Sequence, residues 1–487
     1  MIKPLLLATL CDQFGGKVAG PDTPFYSYST DTRSVSLGDL FVALKGETFD
    51  AHDYLSQAIE GGAKGLVVNK SCQQDFTRYP DLSVWFVDDT TRALGYIAQY
   101  ERNCFDKSLI AITGSSGKTT VKGMLFSIFS AYVGKDAVFA TKGNLNNHFG
   151  VPFSLLELSR KHQYAVIEMG ASAVGEIAYL TEIAKPDVAL VNNVMAAHVE
   201  GFGSIDAIAD AKGEIYNGLS DNGVAVINVD DVYADQWLQQ NNARSVIGFS
   251  VSEKSIAEKP VTGKTTEENL VNIDVVRAKN ISLLKNGCCS FCLGYKGQAV
   301  VVKLSVLGKH NVANAAAAAA CALALGLDIE IIKKGLEVFS GESGRLQIFD
   351  AYNDCTLIDD TYNANPGSVK AAIDVLSEMR SNKILILGDM AELGQDENIA
   401  HADIGRYASN KKINRLFTVG EKSIFAQKAF GENATHFESM EKLINYLSEH
   451  TPVDSAVLVK GSRSARMERV VHAIKRCGDN NNASLAC

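Results

Sequence analysis

Residues 109–120 read Leu-Ile-Ala-Ile-Thr-Gly-Ser-Ser-Gly-Lys-Thr-Thr, an apolar strand-type run that passes through Gly114, Ser115, Ser116 and Gly117 into Lys118, Thr119 and Thr120, where a helical pattern begins. Strand, glycine-framed loop and helix start in that order leave few choices of fold, because the backbone N–H groups of such a loop converge and suit phosphate oxygens. Lys118 can bring a point charge to the β and γ phosphates of a nucleotide, and the Thr119 hydroxyl can ligate Mg²⁺. The loop is short. Only Ser115 and Ser116 separate its glycines, and Ile112 stands where the common nucleotide loop carries its first glycine, which sets the chain apart from ordinary GTPases and motor ATPases.

Composition narrows the setting. At 487 residues the chain exceeds one ordinary core, so two to three domains of roughly 100–200 residues are expected. Hydrophobic residues make up 46% and charged ones 21%, the balance of a folded globular protein. A net charge of −9 argues against a surface that coats nucleic acid and offers no polybasic membrane patch, so neither a nucleic-acid partner nor membrane insertion is expected. Ten scattered cysteines suit reduced thiols in a cytoplasmic setting. Cys288, Cys289 and Cys292 cluster, but Cys-Cys-Ser-Phe-Cys-Leu alternates like a half-buried strand and no second ligand pair follows at zinc spacing. The stretch Ile2–Leu10 is too short for a leader and lacks a small-residue cleavage site, Thr9-Leu10-Cys11 is a poor lipoprotein box, and no run approaches the roughly twenty apolar residues that span a bilayer. A cytoplasmic protein is expected.

The chain divides into three parts, 1–87, 88–340 and 341–487. In the first, short apolar runs at Leu40–Leu44, Gly65–Val68 and Val84–Val87 flank a helix near Tyr54–Gly62. In the second, buried-type strands at Leu109–Thr113, Tyr164–Glu168, Val188–Asn193 and Val224–Asn228 alternate with helical segments at Val121–Val133 and Ala207–Leu219, which implies a mainly parallel sheet covered on both faces. Ligands then collect at the carboxyl ends of the strands. Residues 252–306 change character and read as an antiparallel elaboration, followed by the alanine-rich helix Ala313–Ala324 with polar His310, Asn311 and Asn314 at its start. In the third part the alternation resumes at Thr356–Asp359, Lys383–Leu387, Arg415–Val419 and Ala456–Val459, and the polar tail Gly478–Cys487 is expected to fray.

Strand ends deliver chemistry to the side where the loop opens. Glu168 closes one strand and His198 follows another, so Thr119 and Glu168 can hold one Mg²⁺ while His198 contributes to a second; a strand-terminal Glu alone also reads as a helix cap or surface acid. Lys212, in Ile-Ala-Asp-Ala-Lys-Gly-Glu-Ile, reads from its pattern as a solvated helix lysine. The amide-rich run Thr141–Asn147, with Asn144, Asn146 and Asn147, suits a sugar or pyrophosphate, though such residues also make turns. Polar loops after strand-like runs in the first part carry Ser29, Thr30, Asp31, Arg33, Lys45, Gly46 and His52. Arg345 can neutralise charge on a transferring phosphoryl group or form a surface ion pair, and Asp360 can accept hydrogen bonds from a ribose. The runs Asp359–Pro366, Gly388–Gly394 and Lys460–Arg463 also sit where strands end.

Thr113–Thr119, together with Ser29–Arg33, Gly143–Pro152, Asn192–Ser204, Asp359–Pro366, Gly388–Gly394 and Lys460–Arg463, resembles the Mur ligases of bacterial cell-wall synthesis across nearly the whole chain, in the branch that adds D-alanyl-D-alanine. The resemblance implies an α/β fold of three domains: a small N-terminal α/β domain for the UDP-sugar (1–87), a central P-loop-type, mainly parallel sheet for ATP (88–340), and a C-terminal Rossmann-like α/β domain (341–487). It implies an ADP-forming peptide ligase acting through an acyl phosphate, with UDP-N-acetylmuramoyl-tripeptide and D-alanyl-D-alanine as partners, ATP and two Mg²⁺ ions as cofactors, and a monomeric chain. By the same resemblance Lys212 carries a carbamate that ligates Mg²⁺ beside His198, and Lys118 with Arg345 acts on the phosphoryl group. His310, Asn311 and Asn314 contact adenine and Asp360 the ribose. The first domain and Asn144–Asn147 hold the UDP-sugar, and Asn363, Asn365 and Lys460 face the peptide substrates. Nothing is implied for 252–306 or the tail. Another amide ligase of the superfamily, such as the preceding amino-acid-adding Mur ligase or a folylpolyglutamate synthetase, is the nearest rival, and a regulatory P-loop protein that only hydrolyses ATP is the rival of another class.

Overall fold

The computed structural model describes residues 1–475 apart from 47, 196–198, 253–272, 285–286, 352–354, 380–381 and 451–452. His198, most of the 252–272 stretch and the tail Gly478–Cys487 therefore lie outside the described residues.

Three sheets organise the described chain. The central one has nine strands in the spatial order Gln298–Leu307, Cys288–Tyr295, Asp274–Leu283, Ser245–Ser250, Val224–Asn228, Val188–Val191, Ser108–Thr113, Tyr164–Glu168 and Val138–Ala140. All neighbouring pairs from Val138–Ala140 to Asp274–Leu283 are parallel, and the last three strands form an antiparallel extension. The inner strands read as continuous apolar runs because helices cover both faces and leave no solvent side. On one face, helices Lys118–Val133, His310–Ala324 and Ile329–Val338 pack into an apolar core with Ile110, Ile112, Val166 and Leu190. Ala315–Ala320 are fully buried there, so the alanine run lets this helix lie close to the sheet. On the other face, helices Thr90–Cys104, Gly150–Leu156 and Glu176–Ala184 join Ala111, Ile167 and Val191 in a core that runs on without interruption into Leu5, Phe25, Leu40 and Trp85 of the N-terminal part.

The N-terminal sheet orders Lys17–Ala19, Ser83–Val87, Gly65–Asn69, Leu40–Val42 and Tyr28–Ser29, parallel except at its Lys17–Ala19 edge. The third sheet orders Gln347–Asp350, Thr356–Asp360, Ser455–Lys460, Asn382–Gly388, Arg415–Val419 and Ala434–Phe437, again parallel but for its first strand. Cys288 and Leu307, at the root of the antiparallel extension, share an apolar cluster with Leu346, Val369 and Val375, so this extension reaches the third sheet's layer. The expected strands are present, several of them one or two residues longer than their apolar runs, whereas those expected at Leu40–Leu44 and Val188–Asn193 stop two residues early, at Val42 and Val191. Four helix expectations shift: Tyr54–Gly62 is a 3-10 turn at Ala51–Tyr54 followed by helix Leu55–Glu60, Ala207–Leu219 is helix Ile205–Gly213 followed by a 3-10 turn at Glu214–Gly218, and Val121–Val133 and Ala313–Ala324 begin earlier, at Lys118 and His310.

Candidate active site

The phosphate loop leaves the buried strand Ser108–Thr113 and enters helix Lys118–Val133 through Gly117, whose φ of +79° only glycine adopts without strain. A Cβ at Gly117 would lie 2.4 Å from Asn314 Oδ1 and 2.5 Å from Asn192 Nδ2, so space as well as backbone conformation requires glycine. The loop is held from below by asparagines: the Ser115 N–H donates to Asn193 O and the Ser116 N–H to Asn193 Oδ1, both at 2.9 Å. Asn192 Nδ2 donates to Ser116 O at 2.9 Å and to Asn314 Oδ1 at 3.0 Å, and Asn314 donates to Asn311 Oδ1 at 2.8 Å. A chain of amides thus links the loop to the start of the alanine-rich helix. Asn311 and Asn314 turn into the fold, while His310 beside them is exposed.

Charged groups converge where the loop opens. Lys118 folds back and donates to Gly114 O at 2.7 Å. Burial pushes its ammonium below the ordinary lysine value, with Glu168 opposing and Arg345 adding to the shift. Thr119 accepts a hydrogen bond from Arg345 Nη2 at 2.9 Å, and the Arg345 guanidinium lies 4.2 Å from the centroid of the Tyr362 ring. Arg345 arrives from the third part of the chain, is half-buried, and spends this hydrogen bond on the phosphate-loop helix. Glu168 is only 2% exposed, accepts from Asn146 Nδ2 at 2.9 Å on Oε1, and sets Oε2 3.4 Å from Lys122 Nζ. That Oε2 is buried and takes no hydrogen bond among the described residues. Burial works against the Glu168 charge, yet Lys122 and Lys118 outweigh it and hold the carboxyl below the usual range. Glu342, whose carboxyl reaches over Gly123, is shifted upward by burial against the pull of Lys122 and Arg345.

Lys212 corrects its pattern reading. It is 3% exposed, its ammonium lies 5.9 Å from the Phe202 ring, and burial with the nearby Lys118 charge brings it down to about 7. The run Ile205–Gly213 shows no sign of this by itself, because Phe202, which lies over the Lys212 ammonium, stands outside it. Asp360 and Lys460, read as facing different ligands, form one ion pair at 2.6 Å, and Lys460 also donates to Asn363 O at 2.8 Å. Asn365 caps helix Pro366–Ser377, its Oδ1 accepting from the Ser368 N–H at 2.8 Å while Ser368 Oγ accepts from the Asn365 N–H at 3.1 Å.

The remaining polar loops are largely occupied by their own turns. Asn147 Oδ1 accepts from the Gly150 N–H at 2.9 Å, and Asn144 is exposed. In the N-terminal part Ser29 bonds Asp31 O at 2.9 Å, Asp31 pairs with exposed Arg33, and Thr30 lies between them. Lys45, next to Gly46, lies 3.4 Å from Asp50, and His52 bridges Asp50 at 2.6 Å and the Asn69 N–H at 2.9 Å. Sequence reasoning missed Lys122, Asn192, Asn193 and Glu342 as parts of the site. Lys122 carried a signal, since it stands one helical turn beyond Lys118 on the same face. Asn192 and Asn193 directly follow the strand beside the loop strand and were legible in the same way.

Residues 112–322 match the Mur ligase middle domain and residues 344–463 the Mur ligase, glutamate ligase domain. The chain is 41% identical over 476 residues to the UDP-N-acetylmuramoyl-tripeptide--D-alanyl-D-alanine ligase of Escherichia coli (strain K12), covering 97% of this chain and 98% of that protein. Its identity to the protein of the same name from Bacillus subtilis (strain 168) is 33%, covering 95% and 96%. Among solved structures it is similar to MurF from Acinetobacter baumannii, with a TM-score of 0.83 and 35% identity over 97% of this chain and 98% of that one. Similarity extends to the MurF ligase of Thermotoga maritima solved in complex with ADP, with a TM-score of 0.76, 26% identity, and coverage of 92% and 96%.

Proposed function

The chain belongs to the Mur ligase family, and from that premise we propose that it joins D-alanyl-D-alanine to UDP-N-acetylmuramoyl-tripeptide at the expense of ATP, releasing UDP-N-acetylmuramoyl-pentapeptide, ADP and phosphate in peptidoglycan precursor synthesis. The observation that carries this reading is the approach of Arg345, from the third sheet's domain, to Thr119 in the phosphate loop, with Lys118 and Glu168 alongside. A phosphoryl group held there meets cations from two domains.

The donor set fits Mg²⁺. Glu168 Oε2 is a buried anionic oxygen without a hydrogen bond among the described residues, and Thr119 supplies a neutral one, the hard ligands this ion prefers. Thr119 and Glu168 would hold one ion, and His198 with a carbamylated Lys212 a second; bound Mg²⁺ supplies charge neutralisation at the phosphates. Lys212 supports the carbamate because its lowered proton affinity leaves neutral amine available to attack CO₂ near pH 7.

In the proposed sequence the tripeptide carboxylate attacks the γ-phosphorus and ADP leaves. The amine of D-alanyl-D-alanine then attacks the acyl carbon, and phosphate departs from the tetrahedral intermediate. Lys118 and Arg345 stabilise charge on the moving phosphoryl group, and the loop N–H groups position it. His310, with Asn311 and Asn314 behind the loop, stands on the adenine side and Asp360 on the ribose side. The N-terminal sheet's loops and Asn144–Asn147 take the UDP-sugar, and Asn363, Asn365 and Lys460 stand on the peptide side. The UDP-linked substrate supports a cytoplasmic enzyme, and among the described residues no helix is long and apolar enough to cross a membrane. The reading includes a monomeric chain.

A phosphate-release assay with all three substrates tests the reading: ADP formation should require the UDP-tripeptide and rise with D-alanyl-D-alanine above other amines. ATP turnover independent of the UDP-tripeptide would overturn it. Lys118→Ala should lower turnover by roughly 10²- to 10³-fold or more in the same assay.

A further inference from the structure

Lys122 is 5% exposed, and a lysine is rarely buried to that degree unless its charge is matched. Its ammonium faces three acceptor oxygens: Thr141 O at 2.8 Å, Gly143 O at 3.4 Å and Glu168 Oε2 at 3.4 Å. An ammonium has three donors and no acceptor, so this pocket of oxygens is built for a cation. The two carbonyls belong to the start of the run Thr141–Asn147. That run is tied to Glu168 a second and a third time, since Thr141 Oγ1 accepts the Glu168 N–H at 3.0 Å and Asn146 Nδ2 donates to Glu168 Oε1 at 2.9 Å. Beyond them, Asn147 fixes the start of helix Gly150–Leu156.

From this arrangement we infer that Lys122 is a positioning residue, a resident cation that fastens the Thr141–Asn147 loop and the Glu168 carboxylate to the phosphate-loop helix and thereby shapes the UDP-sugar subsite. The inference rests on the proposed reading of that loop as part of the UDP-sugar site. Lys122 is too deeply covered to touch a substrate, and its contacts are backbone carbonyls whose placement sets the exposed amides of Asn144 and Asn147. It also balances the Glu168 charge in the unliganded protein, where a buried carboxylate without a partner would be costly. Lys118, one turn earlier, points into the loop instead and bonds Gly114 O, so the two lysines of this helix serve different sides of the site.

The test compares wild type, Lys122→Met and Lys122→Arg by calorimetry in the absence of turnover, titrating UDP-N-acetylmuramoyl-tripeptide in one series and ADP without added metal in another. Lys122→Met should bind the UDP-tripeptide about tenfold or more weakly, as losses of supporting contacts to a site commonly do, while ADP affinity stays within about twofold because the loop N–H groups are untouched. Lys122→Arg keeps the charge and should recover part of the loss. Hydrogen exchange should rise in peptides covering 141–150 but not in those covering 109–120. Wild-type UDP-tripeptide affinity in Lys122→Met, or an equal loss for both ligands with uniformly faster exchange, would overturn the inference. If Lys122→Met does not fold, the comparison rests on Lys122→Arg, whose bulkier fork should shift UDP-tripeptide affinity and leave ADP affinity alone; no selective shift overturns the inference. A wild-type protein that ligates normally but shows no Lys122 effect refutes only this role, whereas a wild-type protein that binds no UDP-tripeptide refutes the functional reading itself.

Discussion

At the scale of single residues, environment rather than sequence neighbourhood decides what a lysine does. Lys118, Lys122 and Lys212 are three ordinary letters in the chain, yet one bends over the phosphate loop, one sits among carbonyls, and one is buried near a ring with its proton affinity brought down to about 7. The direction matters for Lys212: a lowered value means the neutral amine dominates above pH 7 and the ammonium below it. Its neutral fraction should climb from about a tenth at pH 6 to about nine-tenths at pH 8. Enzyme stripped of CO₂ should therefore regain activity faster at pH 8 than at pH 6 when both samples meet the same concentration of dissolved CO₂, followed by phosphate release; a flat or inverted profile at equal CO₂ would remove the carbamate. Lys212→Ala should be nearly inactive and partly restored by short carboxylic acids, while unaltered activity without additive would rule the role out. The loop residues Gly114–Thr119 were legible because their order alone encodes the chemistry. Burial of Lys212 was not, since it depends on residues such as Phe202 packing over it.

At the scale of elements, continuous apolar runs announced the buried parallel strands, and Tyr164–Glu168, Val224–Asn228 and Arg415–Val419 begin and end where the pattern does. Short or peripheral strands escaped: Val138–Ala140 has three residues at one edge of its sheet, and Gln347–Asp350 alternates between half-buried and exposed at another. Their pairing is decided by the neighbouring strand rather than by their own composition. Helix starts show the same division. Asn365, placed on the peptide side in the proposed reading, closes a reciprocal cap with Ser368 at the head of Pro366–Ser377, a role its own sequence neighbourhood already allowed. Asn365→Ala should cost the third domain about 1 kcal/mol of stability, read as a lower midpoint in its chemical denaturation, and Asn365→Asp should restore most of it. A drop in D-alanyl-D-alanine affinity in both variants, at unchanged stability in Asn365→Asp, would reveal a substrate role in addition to the cap.

At the scale of the whole molecule, the local alternation of strands and helices gave three α/β units but not how they touch. The N-terminal part shares one uninterrupted apolar core with the central sheet, and the third part meets the central one through Cys288 and Leu307 and through Arg345. Such meetings join residues far apart in sequence, as Thr119 and Arg345 are, and no short-range pattern carries them. Arg345→Ala should lower kcat by roughly 10²- to 10³-fold while changing ADP affinity little, because the loop's own N–H groups remain; Arg345→Lys should rescue poorly, lacking the planar fork that reaches Thr119 and stacks on Tyr362. Steady-state kinetics beside ADP calorimetry checks this, and equal losses in both would point to a binding role instead. The seam where Tyr362 backs that guanidinium has a practical consequence: a flat compound wedged between the two lobes would stall the enzyme without imitating a nucleotide, a sugar or a peptide.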